Sequence, residues 1–153
     1  MIDTIGHEAA IPNPTLEPLS FLVGEWSTVG SHPQLPGKVL RGRTSFAWLD
    51  GGAFLVMRSE IDEPEIPSGI AILGTDVDAN ECAMLYFDER GVSRRYSVAL
   101  RSDQWHWWRD SAGFSQRFTA QLVDRGKRMV GQGELNRGNG WEPDLQLTYT
   151  RLR

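Results

Sequence analysis

The chain has 153 residues, of which 40% are hydrophobic, 10% aromatic and 24% charged, and its 16 Lys and Arg against 20 Asp and Glu give a net charge of −4. This composition is typical of one folded domain and excludes a disordered chain. Nucleic-acid affinity comes mostly from Lys and Arg that neutralise phosphates, so the acidic balance argues against DNA or RNA as a partner. We therefore expect a single domain over residues 1–153, with residues 1–14 as an extended arm.

Two sequence features bear on the compartment. No stretch approaches the roughly 20 apolar residues of a membrane span, and residues 1–8 lack the basic and apolar regions of a secretory signal. We therefore expect a cytoplasmic protein without a membrane partner. Cys82 is the only cysteine, which excludes an internal disulfide. Its apolar neighbours predict a packing role in a buried strand.

One short helix is predicted at the start of the folded region. Pro18 suits the first helical position and Gly24 the position after the end, with apolar residues between them. Beyond Gly24, short runs of β-branched and aromatic residues alternate with Gly, Asp, Asn and Pro clusters, which predicts successive antiparallel strands. The predicted strands lie near residues 25–31, 39–48, 54–62, 69–75, 83–87, 93–101, 105–109, 114–123, 128–136 and 144–151.

The connections between these strands are short and rich in turn residues, for example at positions 50–52 and 136–140. Short connections predict that each strand pairs with the one before it. An open sheet of about ten strands would leave two unpaired edges and a bare apolar face. The sequence therefore predicts an all-β fold, a closed antiparallel up-and-down β-barrel with the short helix capping one end.

Side-chain alternation predicts which residues line the barrel, since every second residue of a strand shares a face. The predicted apolar lining is Leu85, Phe87, Tyr96, Val98, Phe114 and Phe118. An apolar or amphipathic small molecule in this cavity is the predicted partner. Met84 and Tyr86 then fall on the outer face, where a homodimer interface would explain apolar side chains.

The polar anchor for such a ligand is predicted on the second and third strands. Arg41, Arg43 and Ser45 share one face, as do Arg58 and Glu60. If these faces point inward, Arg43 and Arg58 would bind an anionic head group, because buried charges must be paired or ligand-bound. If they point outward, they form a solvated ladder of cross-strand pairs. We take Arg43 and Arg58 as the predicted anchor.

Histidines and tryptophans supply the other candidate groups. His106 lies between Trp105 and Trp107 and shares a face with Trp108; facing a cavity, it could bind a ligand, ligate heme or act as an acid or base. His32 lies in a long loop that could overhang the barrel mouth. No histidine has a metal-ligand spacing from another His or Cys, so no metal site is predicted, and no catalytic residue is assigned.

The segment Gly24-Glu25-Trp26 resembles the Gly-x-Trp signature that opens calycin barrels, the group of lipocalins, fatty-acid-binding proteins and nitrobindin-like heme barrels. The last strand ends at Arg151, as many of those chains end with an Arg. In the resembled proteins the Trp closes the barrel base and the Arg lies over its ring. In the pattern of residues 19–26 and 51–55, the chain is most similar to an uncharacterised bacterial family of calycin-like proteins.

Two features differ from the resembled families. Nitrobindin-type barrels carry an axial His late in the chain, whereas residues 107–153 contain none, so heme is not the expected cofactor. Fatty-acid-binding barrels use an Arg-x-Tyr pair, whereas here Tyr149 precedes Arg151. The predicted function is binding of a small apolar or amphipathic ligand. The alternatives are an enzyme that uses His106 or Tyr96 on such a molecule, a heme-binding barrel, and a structural dimer with a filled interior.

Overall fold

The computed structural model describes residues 10–153 as a closed barrel of ten antiparallel strands, in which each strand pairs with its sequence neighbours and β1 pairs with β10. This confirms the predicted all-β, up-and-down barrel, and each predicted strand overlaps an observed one. The strands are β1 (Gly24–Ser31), β2 (Leu40–Leu49), β3 (Phe54–Ile61), β4 (Gly69–Asp76), β5 (Glu81–Asp88), β6 (Ser93–Arg101), β7 (Gln104–Arg109), β8 (Ser115–Val123), β9 (Arg128–Asn136) and β10 (Trp141–Arg151).

Residues 10–153 also contain three short 3-10 helices, at Glu17–Leu22, Asp50–Gly52 and Asp124–Gly126. None of the helices in residues 10–153 has the length and apolar character that a membrane crossing requires.

The first of these helices closes one end of the barrel, which we term the base. Leu16, Leu19 and Leu22 are buried together with Trp26 in one apolar cluster. The Trp26 indole Nε1 donates a hydrogen bond to the Leu22 carbonyl at 2.9 Å. The predicted capping helix is therefore present. The opposite end, where β1 ends and β2 begins, is termed the mouth.

The Arg151 guanidinium holds the base together. Its Cζ lies 4.1 Å from the centroid of a Trp26 ring, and its Nη1 donates to the Val23 carbonyl at 2.9 Å. Other N–H groups of the same guanidinium donate to the carbonyls of Phe21 and Gly126. One side chain thus joins the last strand, the first strand and the capping helix. This is the arrangement that the resemblance implied for Trp26 and Arg151.

Residues 10–14 run over the base of the barrel. The Asn13 backbone N–H donates to the Gly52 carbonyl at 2.8 Å, and its side-chain amide donates to Ala53 O at 3.3 Å and Thr75 Oγ1 at 3.1 Å. Gly52 has a φ of 107°, and a Cβ there would lie 3.0 Å from Pro12, so glycine suits this contact on both counts. The first nine residues of the predicted arm lie outside the described residues.

Replacing Trp26 by alanine is expected to lower the free energy of unfolding by about 3–5 kcal/mol, because it leaves a cavity in the base and removes the ring on which Arg151 lies. A denaturant titration followed by circular dichroism measures this change. Trp141, which is 38% exposed, supplies a matched control. Trp141→Ala is expected to cost about 1 kcal/mol or less. A loss in Trp26→Ala no larger than that of the control would contradict the role of the indole in the base.

Candidate functional site

Above its base the barrel is hollow, with a cavity of about 340 Å³ that opens at the mouth. This volume lies at the lower end of the range of about 300–1,000 Å³ that is typical of small-molecule sites. The inward-facing side chains of nearly every strand contribute to its wall. Prominent among them are Thr44, Met57, Met84, Tyr96, Trp105, Trp107, Phe118, Leu145, Leu147 and Tyr149.

One side of the cavity is a wall of aromatic rings. Tyr86 contacts Tyr96 edge-on, Tyr96 contacts Trp107 at 4.6 Å between centroids, and Trp107 stacks on Phe118 at 5.0 Å. Phe118 fits here because Gly131 on the neighbouring strand has no side chain, and a Cβ there would lie 2.5 Å from Cζ of the Phe118 ring. Rings of this kind offer a large apolar contact area to a ligand.

The floor of the cavity carries an unpaired hydrogen-bond donor. Trp105 is 1% exposed and packs edge-on against Phe46, and its Nε1 has no hydrogen-bond partner within residues 10–153. Thr28 Oγ1 is also buried without a partner in the described chain, on β1 directly opposite Tyr149. An unpaired buried polar group costs about 1–3 kcal/mol, and such groups normally bind water or a ligand. Trp105 lines the cavity, so this unpaired donor belongs to a residue of the floor.

The mouth is charged, and most of its charges are paired. Its ion pairs join Arg90 to Asp88, Arg117 to Glu134 and Arg137 to Glu142, and His32 Nε2 lies 3.0 Å from Asp144 Oδ1. Arg94 differs, because no carboxylate in residues 10–153 forms an ion pair with it. Its guanidinium lies over the Phe114 ring, with Cζ 5.4 Å from the centroid. Arg94 is thus a partly buried cation in the cavity wall.

A second network fixes Tyr86 at the mouth. The Tyr86 hydroxyl donates to Asp88 Oδ2 at 2.8 Å, and Arg90 binds the same carboxylate through Nε at 3.2 Å and Nη2 at 2.7 Å. The Arg90 guanidinium, aided by the Tyr86 hydroxyl, holds the pKa of Asp88 well below its usual range. Burial and the adjacent Asp88 raise the pKa of Tyr86. Tyr86 therefore stays a neutral hydrogen-bond donor, in space left by Gly69.

Two other titratable groups of the interior are held in their neutral forms. Burial raises the pKa of Tyr96, and the nearby Arg94 guanidinium acts in the opposite direction more weakly. The Tyr96 hydroxyl donates to Gln116 Oε1 at 3.0 Å. Burial also raises the pKa of the Cys82 thiol to about 11. These groups can hydrogen-bond or pack, but neither is poised as a base near neutral pH.

The described histidines do not offer a free nitrogen to the cavity. His106 lies on the outer face of β7, stacked on Trp108, and burial lowers its pKa. His32 lies at the mouth, where Nδ1 accepts a backbone N–H at 3.1 Å and Nε2 lies 3.0 Å from Asp144. Both nitrogens of His32 are engaged, so these two side chains do not fit an axial heme ligand. His7 lies outside the described residues.

The same portion of the chain, residues 10–153, contains no group of three or more His, Cys, Asp or Glu side chains placed to hold a metal ion.

The structure brings together only some of the residues that were predicted to form the apolar lining. Tyr96, Phe114 and Phe118 line the cavity. Val98 is buried nearer the base, within the core cluster and below the cavity wall. The predicted inward placement of Leu85 and Phe87 is wrong, because they lie on the outer surface with 48% and 40% exposure.

The error on β5 has a physical reason. The segment from Cys82 to Phe87 is apolar on both faces, so alternation alone fits either orientation. In the folded barrel Met84 and Tyr86 face inward, and Tyr86 occupies the space above Gly69 on the neighbouring strand. The choice of face thus comes from a neighbour in the sheet.

The predicted anchor is also wrong in position. Arg43 and Arg58 are exposed on the outer face, opposite Glu60 and Ser45 respectively, and they form the solvated ladder that was the alternative. His106 likewise lies outside the cavity. Solvent satisfies the Arg43 and Arg58 guanidiniums, so they need no buried partner. The Nε2 of His106, by contrast, is buried without a hydrogen-bond partner within residues 10–153.

Arg94 was not among the predicted site residues, although it lies in the cavity wall. Arg94 lies two residues before Tyr96, so the alternation that placed Tyr96 inside also places Arg94 on the same face. Trp105 follows from the same rule applied to β7, where it shares its face with Trp107. The sequence does not indicate that Trp105 Nε1 lacks a hydrogen-bond partner, because this depends on which residues of other strands lie near it.

Replacing Asp88 by asparagine is expected to lower the free energy of unfolding at pH 7 by about 1–3 kcal/mol, because charge-assisted hydrogen bonds to Arg90 and Tyr86 are lost. The native pKa of Asp88 lies below its unfolded value. Its stabilisation is therefore complete above the unfolded pKa of about 3.9 and is lost as the pH falls toward the lower native value.

Urea titrations of both proteins between pH 7 and acid test this. The difference between wild type and Asp88→Asn should be constant above about pH 5 and shrink as the pH falls below about 4. A difference independent of pH would contradict the ionised state of Asp88 in this network.

Comparisons with known proteins bear on the fold. No protein-family model matches the chain, and no curated protein matches its sequence. The crystal structure of Rv2717c from M. tuberculosis is similar, with a TM-score of 0.65 and 15% sequence identity over 95% of this chain and 100% of that one. At this level of identity, the similarity shows a shared fold and nothing further.

Proposed function

We propose that the protein binds a small apolar or amphipathic molecule inside its barrel. The observation that carries this proposal is the hollow interior of about 340 Å³, closed at the base and floored by the unpaired Nε1 donor of Trp105. A barrel selected only for stability would gain by filling this volume, since close packing stabilises a core. A bound molecule would restore those contacts and accept the hydrogen bond that the floor offers.

The aromatic wall supports a ligand with an apolar body. Tyr96, Trp107 and Phe118 present ring faces and edges to the cavity. Polar groups are few below the mouth, which matches the usual pattern of a small-molecule site: an apolar lining with a few placed donors.

A calycin-like family membership belongs to this proposal. The geometry of Trp26 and Arg151 at the base supports it, together with the up-and-down order of the strands. A bacterial, cytoplasmic carrier protein is the corresponding prediction. A homodimer also stays a prediction, but its interface moves from Met84 and Tyr86, which face the cavity, to outward apolar side chains such as Leu85 and Phe87.

The enzyme alternative has less support. Of its two predicted acid–base groups, His106 lies outside the cavity, and burial raises the pKa of Tyr96. The cavity chemistry therefore favours binding over proton transfer.

The first experiment is native mass spectrometry of protein purified without added ligand, followed by denaturing extraction and an absorbance scan of the released material. A co-purified species within the size limit of the cavity supports the proposal and gives the mass of the ligand. The same spectra give the number of subunits, and a heme absorbance band in the extract would contradict the histidine geometry described above.

A dye titration tests the site directly. Phenylnaphthylamine, an uncharged probe whose fluorescence rises in apolar surroundings, is expected to bind the wild type. Leu147→Phe adds volume to the cavity wall and is expected to weaken this binding about tenfold or more, because an overfilled cavity excludes the dye. Leu85→Phe makes the same substitution on the outer face and is expected to leave it unchanged. Equal effects of the two variants, with both thermally stable, would contradict binding inside the barrel.

A further inference from the structure

We propose that the cavity selects anionic ligands, with a carboxylate, sulfonate or phosphate group bound by Arg94 at the mouth and an apolar body against the aromatic wall. This rests on the binding function proposed above and adds the chemical class of the ligand. It also moves the anchor from Arg43 and Arg58, which face solvent, to a guanidinium in the cavity wall.

The charge balance of the mouth singles out Arg94. The other guanidiniums that line the cavity, those of Arg90, Arg117 and Arg137, each bind a carboxylate of the protein itself. Such pairs are electrically satisfied and have little left to offer an anion. Within residues 10–153, Arg94 has no carboxylate partner.

The carboxylates at the mouth do not neutralise Arg94. Glu134 pairs with Arg117, and Asp144 lies 3.0 Å from His32. Glu65, on the loop between β3 and β4, forms no ion pair with Arg94 within residues 10–153, and its neighbour Glu63 pairs with Lys38. The positive charge of Arg94 therefore stays available to a molecule that enters the cavity.

The position of Arg94 suits recognition of an oxyanion. Its guanidinium lies over the Phe114 ring, and Arg94 lines the cavity together with Tyr96. A guanidinium that stacks on a ring is held in orientation while its N–H groups stay directed outward in the guanidinium plane. Partial burial strengthens the attraction, because solvent screens the charge less than at the surface. The guanidinium fork can then bind two oxygens of one carboxylate, sulfonate or phosphate group.

The two ends of the cavity then define the ligand. Arg94 binds the anion at the mouth, Tyr96 and Trp107 contact the body, and Trp105 Nε1 at the floor is left for an acceptor at the far end. The expected ligand is an amphipathic acid of modest size.

Two dyes that differ by one charged group test this. Anilinonaphthalene sulfonate carries the same two aromatic units as phenylnaphthylamine and adds a sulfonate. The wild type is expected to bind the sulfonate dye more tightly than the uncharged one. Arg94→Gln is expected to weaken binding of the sulfonate dye about ten- to a hundredfold and leave the uncharged dye unchanged, since only the charge-assisted contact is lost.

Three further variants complete the test. Arg94→Lys keeps the charge without the planar fork and should retain part of the preference for the sulfonate. Arg43→Gln removes a guanidinium from the outer face and should have no effect. Leu147→Phe should weaken both dyes, which assigns the signal to the cavity instead of the outer surface.

Each outcome decides between the proposals. If Arg94→Gln loses the sulfonate preference and still binds the uncharged dye, the variant is folded and the inference is supported. If the preference for the sulfonate dye persists in Arg94→Gln, the anion site is overturned while the binding function stands. The same holds if Arg43→Gln weakens binding of the sulfonate dye as much as Arg94→Gln does. If Leu147→Phe affects neither dye, or neither dye binds, the binding function itself is overturned.

Discussion

The pairing of the first strand with the last is the constraint on which the rest of the molecule depends. It closes the sheet and sets Trp26 directly opposite Arg151. At that register the guanidinium covers the indole and reaches the carbonyls of the capping helix. The base is thereby sealed, and a sealed base is what makes the remaining interior a cavity with one entrance. Gly24 allows the last residue to approach the first strand closely, since a Cβ there would lie 2.2 Å from the Arg153 carbonyl oxygen.

Small residues in the strands shape what lies above the base. Gly131 gives room to the Phe118 ring, and Gly69 gives room to Tyr86. Both rings then contribute to one aromatic wall in contact with Trp107 and Tyr96. The cavity is thus not a packing defect: large rings are positioned around it by the absence of side chains on adjacent strands. The unpaired donor at the floor has the same implication, because a void maintained for stability alone would be expected to be apolar.

Electrostatics divides the interior into layers. Charged groups are confined to the mouth, where most are matched by a partner, and the hydroxyls and thiol below are kept neutral by burial. On the binding function proposed above, recognition of a ligand rests on shape, hydrogen bonding and one charge. Among the arginines of the cavity lining, Arg94 is the one without a carboxylate partner in residues 10–153, and it gives the cavity an unpaired positive charge.

The sequence by itself determined the strands, their order and the base. Alternation and turn residues are local signals, and short connections leave few ways to pair consecutive strands, so ten strands and their closure followed from the chain alone. The Gly24, Trp26 and Arg151 pattern was also visible. What only the tertiary structure decided was which face of each strand points inward. β5 is apolar on both faces, and Arg43 lies on a strand whose polar face had no local marker of direction, so contacts with distant residues settled both. The position of Arg94 follows from the same physics: its lack of a partner depends on which carboxylates the fold brings near it.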